Sequence, residues 1–149
     1  MNYEIVPISF RYACNVVELF HRHHKPPQGH KFSIGLEVDG VMAAVVIVGR
    51  PVARGLDDGR TLEVTRICVI EDGIKNCVSI LLGTVCKAGK AMGYLKIVTY
   101  ILEEEYGSSL KASNFTIDGY VHGRSWSTPS RLREDKHPLD NKVRYIREL

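Results

Sequence analysis

The 149-residue sequence has no apolar run near the ~20 residues that a membrane-spanning helix requires, and its N-terminus has no apolar signal core. Its longest apolar stretches, such as Val41 to Val48, have the length of strands. A soluble, cytoplasmic protein with no membrane partner is the expectation. CxxC pairs and Cys/His ligand spacings are absent too. Cys14, Cys68, Cys77 and Cys86 stand among apolar neighbours, which argues against a disulfide framework or a zinc site and predicts buried free thiols. His21 and His24 lie a helical turn apart, but no nearby carboxylate or cysteine completes a ligand set, so no metal is expected. With no internal repeat, low-complexity tract or linker, residues 1–149 read as one domain large enough to bury a core. The excess of positive charge is slight, +3 with a pI near 8.7. That suits an anionic cofactor or substrate and falls short of a dedicated nucleic-acid arm.

What is present alternates between strand and helix patterns. Residues 3–8 suggest a short strand. Arg11 to His24 follow as a helix, with Ala13, Val16, Val17 and Phe20 on one face and Lys25-Pro26-Pro27 ending it. Phe32, Ile34, Leu36 and Val38 alternate with more polar residues as in a half-buried strand, and Asp39-Gly40 is a two-residue hairpin signal. Val41 to Val48 return as a strand covered on both faces. After a polar loop over 49–60, the strand Thr61 to Ile70 changes parity, from Leu62 and Val64 to Ile67 and Val69. Such a slip predicts a β-bulge.

The strongest helix carries Val78, Leu81, Leu82, Val85 and Met92 along one stripe and closes at Gly93. Leu95 to Leu102 is the next buried strand, so 61–102 form a strand–helix–strand unit. A short helix over Ser108 to Asn114, a strand over Thr116 to His122, a loop, and a closing edge strand over Lys142 to Arg147 complete the order β, α, β, β, β, α, β, α, β, β.

The chemistry-bearing segment is Glu63-Val64-Thr65-Arg66-Ile67-Cys68-Val69, then a turn at Asp72-Gly73, then a helix starting around Lys75. A strand feeding a helix through a glycine turn aims free N–H groups and the positive helix end at one point, which attracts phosphate. A bulge beside it frees strand N–H and C=O groups to pair with an extended amide chain. Most strand-to-helix turns nevertheless bind nothing.

In its order of elements, and in Ile67-Cys68-Val69, the turn and Leu81-Leu82, the chain resembles the GNAT acyltransferase superfamily over about residues 30 to 115. Through His24-Lys25-Pro26-Pro27, Glu63-Val64-Thr65-Arg66 and Ser125-Trp126-Ser127-Thr128-Pro129-Ser130-Arg131 it also resembles a small group of phage and prophage proteins on that fold. The resemblance implies an α/β (α+β) fold with a mixed, mostly antiparallel central sheet flanked by helices on both faces. It implies acetyl-CoA, or another acyl-CoA, as co-substrate. Ile67, Cys68 and Val69 would hold the acyl and pantetheine portions; Gly73, Ile74, Lys75, Asn76, Cys77 and Val78 would cradle the pyrophosphate. The family loop Arg/Gln-x-x-Gly-x-Gly/Ala departs here, with Asn76 and Val78 at the two glycine positions. Asparagine tolerates a left-handed backbone and valine does not.

Glu63 matches the general-base glutamate of histone-type members; beside Arg66 it could equally be a salt-bridged structural residue. Strict alternation puts Thr65 and Ile67 on its face and Cys68 on the other, which discounts Cys68 as a nucleophile and favours direct transfer. The usual tyrosine acid falls on Leu110. Tyr100 substitutes for it if it points to the cleft and is core otherwise; Tyr106 is a further candidate. Ser108 and Ser109 could donate to the leaving thiol or the pyrophosphate. On the substrate side stand His30, in the connection that borders the acceptor cleft, with Arg50, Arg66 and the arginine-flanked Trp126.

The resemblance thus implies an N-acyltransferase acting on a small-molecule or nucleotide amine. Nucleic acid is a further acceptor class, because the phage Mom DNA-modification proteins also look like GNAT folds. The other class is a non-catalytic module that binds CoA, nucleic acid or a host protein. A homodimer is compatible with the sequence.

Overall fold

The computed structural model describes residues 2–20, 25–70, 76–102, 107–121 and 141–149. Seven strands form one sheet: β1 (Tyr3–Pro7), β2 (Phe32–Val38), β3 (Val41–Gly49), β4 (Thr61–Val69), β5 (Lys96–Leu102), β6 (Thr116–Val121) and β7 (Lys142–Glu148). Their spatial order is β1-β2-β3-β4-β5-β7-β6. Every neighbouring pair is antiparallel except β4 and β5, which run parallel and are joined through helix α2 (Cys77–Ala91). Helices α1 (Phe10–Phe20) and α3 (Ser108–Ala112) complete the fold. No helix among the described residues is long and apolar enough to cross a membrane.

The helices cover opposite faces. From α1, Ala13, Val16 and Val17 pack with Val45, Ile47 and Cys68. From α2, Leu81, Leu82 and Val85 pack with Val46, Val48, Leu62, Val64 and Ile97, joined by Leu110 of α3 and by Val143 and Tyr145 of β7. Each such buried aliphatic side chain is worth about 1.5–3 kcal/mol. Because β3 supplies Val45 and Ile47 to one cluster and Val46 and Val48 to the other, it needs the continuous apolar run that the sequence shows.

Local signals explain most boundaries. The Ser9 hydroxyl accepts from the Tyr12 N–H at 3.0 Å and caps α1, which therefore starts at Phe10, one residue earlier than periodicity suggests. Asp39 and Gly40 both take positive φ, 50° and 82°, as a hairpin turn of matching twist requires. Strand β7 corrects one expectation: it lies between β5 and β6, and β6 is the edge. Alternation such as Val143 and Tyr145 inward reports which face is buried and says nothing of who sits alongside.

The parity slip in β4 is a bulge. Val64 faces Val48 and Arg66 faces Ile47 across the β3 ladder, so Thr65 has no opposite number; its hydroxyl donates to the Ile47 carbonyl at 3.2 Å. At the start of α3, a Cβ on Gly107 would collide with the ring and hydroxyl of buried Tyr145. Gly107→Ala is therefore expected to destabilise the fold by about 1–3 kcal/mol, read as a lower urea midpoint at unchanged m-value.

Candidate active site

Strands β4 and β5 pair only over their first halves. The ladder runs from Thr61 opposite Lys96 to Val64 opposite Thr99 and stops, while β4 continues beside β3 and β5 beside β7. The Thr99 hydroxyl donates to the Val64 carbonyl at 3.1 Å and closes the root of the fork. Beyond it, the β5-facing edge of Thr65–Val69 has no strand partner among the described residues. The bulge at Thr65 stands where the strands part, and added twist is what a bulge supplies.

The N-terminus of α2 follows in sequence. Asn76 takes the left-handed conformation, φ 67° and ψ 11°, with no side-chain cap, and its carbonyl receives the Ile80 N–H at 2.9 Å. The N–H groups of Cys77, Val78 and Ser79 thus lie in the first turn, where no intrahelical acceptor exists. Val78, at the second glycine position, is helical and half-buried against the core, so it needs no left-handed geometry. Gly73, Ile74 and Lys75 lie outside the described residues. An open strand edge followed in sequence by a helix whose Asn76 N-cap makes no side-chain cap fits an extended amide chain that terminates in phosphate.

Glu63 sits at the root of the fork, opposite Gly49 on one side and Val98 on the other, and only 5% exposed. Its Oε1 accepts from the Val52 N–H at 3.0 Å. Burial pushes its pKa up from 4.5 to about 7, against the lowering effects of that hydrogen bond and of the Arg66 and Lys142 charges. A carboxyl group poised near neutrality is suited to taking a proton.

The bulge corrects the expected facing of Cys68. Glu63 and Gly49 oppose the α2 side, but after the extra residue the parity inverts: Ile67 and Val69 pack with the α2 cluster, and Cys68 with the α1 cluster. Cys68 therefore shares the face of Glu63, and Ile67 does not. The sulfur remains a poor nucleophile for a different reason, since it is buried and burial pushes its pKa up.

Arg66 lies on that same face, buried, its guanidinium donating to the carbonyls of Lys25 at 2.8 Å and Thr65 at 2.5 Å. Burial lowers its pKa to about 10, so it stays charged at neutral pH. Tyr100, two residues beyond Val98 on β5, also points to this side and feels the Glu63 charge. Its pKa is raised by burial first and by Glu63 second, which keeps the phenol protonated.

Exposed His30 reaches the region through the chain before β2. Its Nδ1 is 2.8 Å from the Ser33 hydroxyl and its ring leans on Phe10, with centroids 4.8 Å apart. A Cβ on Gly49 would make ordinary contact with the Gly29 carbonyl and the His30 Cα at 3.6 Å, so this segment runs beside the residue opposite Glu63. Arg50 is less central: it is exposed and bound to Asp57 at 3.0 Å. Ser108 and Ser109 open α3, Ser108 exposed and Ser109 half-buried. Tyr106, Trp126, His21, His23 and His24 lie outside the described residues.

Sequence reasoning passed over Lys142, Arg144 and Asp118. Lys142 and Arg144 of β7 stand opposite Leu102 and Tyr100, and Arg144 pairs with Asp118 at 2.7 Å. Because Val143 and Tyr145 belong to the α2-side core, Lys142 and Arg144 turn to the Glu63 side. Charged residues alternating with Val143 and Tyr145 were the available signal. Among the described residues there is no group of three or more His, Cys, Asp or Glu able to hold a metal.

A parted parallel pair inside a seven-stranded, mostly antiparallel sheet is a distinctive arrangement, and solved structures superpose on the fold over almost the whole chain. An acetyltransferase of the GNAT family from Streptococcus pneumoniae superposes with a TM-score of 0.68 at 9% identity, covering 99% of both chains. The chain has the GNAT fold. A second neighbour, a Bacillus subtilis acetyltransferase in complex with CoA, gives a TM-score of 0.67 at 14% identity, again covering 99% of each chain. A third, the polyamine N-acetyltransferase of Drosophila melanogaster, gives 0.69 at 11% identity over 99% of this chain and all of that one. No protein-family model matches the sequence, and no curated protein matches it.

Proposed function

We propose that the protein is an N-acetyltransferase that transfers an acetyl group from acetyl-CoA to a small-molecule amine by direct attack. The observation that carries this reading is the open β4 edge ending at the uncapped start of α2, with a carboxyl group of pKa about 7 at its root. The neighbours' activities and the bound CoA of the Bacillus subtilis structure support it.

Acetyl-CoA, when bound, supplies the activated acyl group. The free edge around Ile67, Cys68 and Val69 would pair with its pantetheine amides, and the N–H groups of Cys77, Val78 and Ser79 would meet its phosphates. Glu63 takes the proton that the acceptor nitrogen must lose as it bonds to carbon. Tyr100, kept protonated by its surroundings, is the donor for the sulfur that departs. Cys68 takes no part, which leaves direct transfer as the route. His30 and Arg66 border the acceptor.

The reading is tested by thermal melting with acetyl-CoA, then by mass analysis of acetylated products. Millimolar acetyl-CoA is expected to raise the melting temperature; no shift, together with no acetyl transfer to any amine, overturns the reading. The left-handed Asn76 offers a sharper check. Asn76→Gly keeps that geometry and should bind acetyl-CoA about as well as the parent, whereas a β-branched Val there costs about 1–2 kcal/mol, or roughly 5–30-fold in Kd by calorimetry.

A further inference from the structure

We infer that the acceptor amine carries an anionic group, a carboxylate or a phosphate, and that Lys142 receives it. This rests on the acetyltransferase reading and deepens it.

The register sets the stage. Glu63 lies in a row with Gly49, Val98 and Ile146; the next row outward on β5 and β7 holds Tyr100 and Arg144, and the next Leu102 and Lys142. All the charged members turn away from the α2-side core. Lys142 therefore stands on the acceptor side, out along β5 from the root of the fork, half-buried and electrostatically coupled to both Glu63 and Arg66.

Among the described residues the charges on this side do not balance. Arg144 is matched by Asp118. Arg66 donates to two main-chain carbonyls, which carry no formal charge. The ion pairs among the described residues are Arg50 with Asp57 and Arg144 with Asp118, and neither includes Lys142. Among the described residues, Glu63 is the carboxylate that interacts with both of these cations, leaving a surplus of one positive charge when it is ionised and two once it has taken the acceptor's proton. A polycationic amine would add like charge to a poorly hydrated region. An amine with its own carboxylate or phosphate reduces that surplus: a carboxylate cancels it while Glu63 is ionised, and a doubly charged phosphate cancels it once Glu63 has taken the proton. A lysine, with three rotatable donors on a flexible stem, can meet either group. Arg50, one of the residues that the sequence puts on the substrate side, is already bound to Asp57.

The test is a panel of four amines assayed with acetyl-CoA: glutamate, phosphoethanolamine, butylamine and spermidine. The first two separate the carboxylate from the phosphate. We expect one of them to exceed butylamine and spermidine in kcat/KM by at least about tenfold, and Lys142→Met to remove that advantage by raising the acceptor KM on the order of 10–100-fold rather than by lowering kcat. Lys142→Glu should shift preference toward spermidine. Calorimetric titration of the same four compounds into the protein without acetyl-CoA supplies a second readout. Turnover of spermidine or butylamine at equal or better efficiency, or an anionic-acceptor KM indifferent to Lys142→Met, overturns the inference and leaves the acetyltransferase reading standing. Lys142-dependent binding of an anionic amine with no turnover of any compound overturns that reading instead. Neither binding nor turnover of any of the four overturns the inference, and acetyl-CoA melting then decides the parent reading separately.

Discussion

Glu63→Gln is expected to lower kcat/KM for acetyl transfer by about 10²–10⁴-fold while changing acetyl-CoA affinity less than about twofold, the signature of a lost proton acceptor at an intact binding site. The substitution is nearly isosteric, and the amide oxygen can still accept from the Val52 N–H, so the loop over 50–52 stays where it is. The alternative role, a carboxylate present only to pair with Arg66, predicts a different result. Arg66 is held by the carbonyls of Lys25 and Thr65 whether or not Glu63 is charged, so a structural Glu63 would leave the rate almost unaltered. Single-turnover kinetics alongside acetyl-CoA titration separates the two.

The second large effect is the pH dependence of the same residue, and activity and stability move in opposite directions. As proton acceptor, Glu63 must be ionised, so kcat/KM should climb about tenfold per pH unit up to about 7 and then level off; the Gln variant loses that inflection. Burial favours the neutral carboxyl in the fold, whereas in the unfolded chain it titrates near 4.5. Between these values the folded protein holds a proton that the unfolded chain has released. This contribution to stability is therefore complete below pH 4.5 and is lost as pH rises through about 7. The loss is on the order of 3 kcal/mol, because each pH unit between the folded and unfolded titration points is worth roughly 1.4 kcal/mol. Glu63→Gln should thus raise the melting temperature at pH 8 by roughly 5–10 °C and change it little at pH 4.5. A variant less active yet more stable above pH 7 marks a residue kept for chemistry at the expense of the fold.

Much of this fold was legible in the sequence because its signals are local. The stripe on α2 from Val78 to Val85, though not the exposed Met92 beyond the helix, the doubly apolar run of β3, the turn at Asp39-Gly40 and the parity slip in β4 each follow from local patterns of burial and turn chemistry. The neighbour of β7 was not legible, since edge and interior strands can carry the same alternation. The bulge shows a subtler limit. Its existence could be read, but its consequence for facing could not be carried through until the register located the extra residue at Thr65, which moved Cys68 to the side of Glu63.

The site divided the same way. Glu63 and Asn76 stood out because they occupy positions in a contiguous motif, and the structure gives Glu63 a buried, near-neutral carboxyl and Asn76 a left-handed backbone. Lys142 and Arg144 come from a strand nearly eighty residues later in the chain than Glu63, and only the placement of β7 beside β5 brings them near it. Arg50 looked equally eligible as a cation, but its partner Asp57 lies within its own loop.

The central claim is that main-chain N–H groups along the open edge of β4 and at the start of α2 hold acetyl-CoA. Amide hydrogen exchange with and without acetyl-CoA tests it most directly. The account predicts slowed exchange confined mainly to amides in 65–70 and 76–79, with the α1 core and the β1–β2 ladder unchanged. Acetyl-CoA that leaves both segments exchanging at their free rates, while protecting amides elsewhere or none, would contradict it.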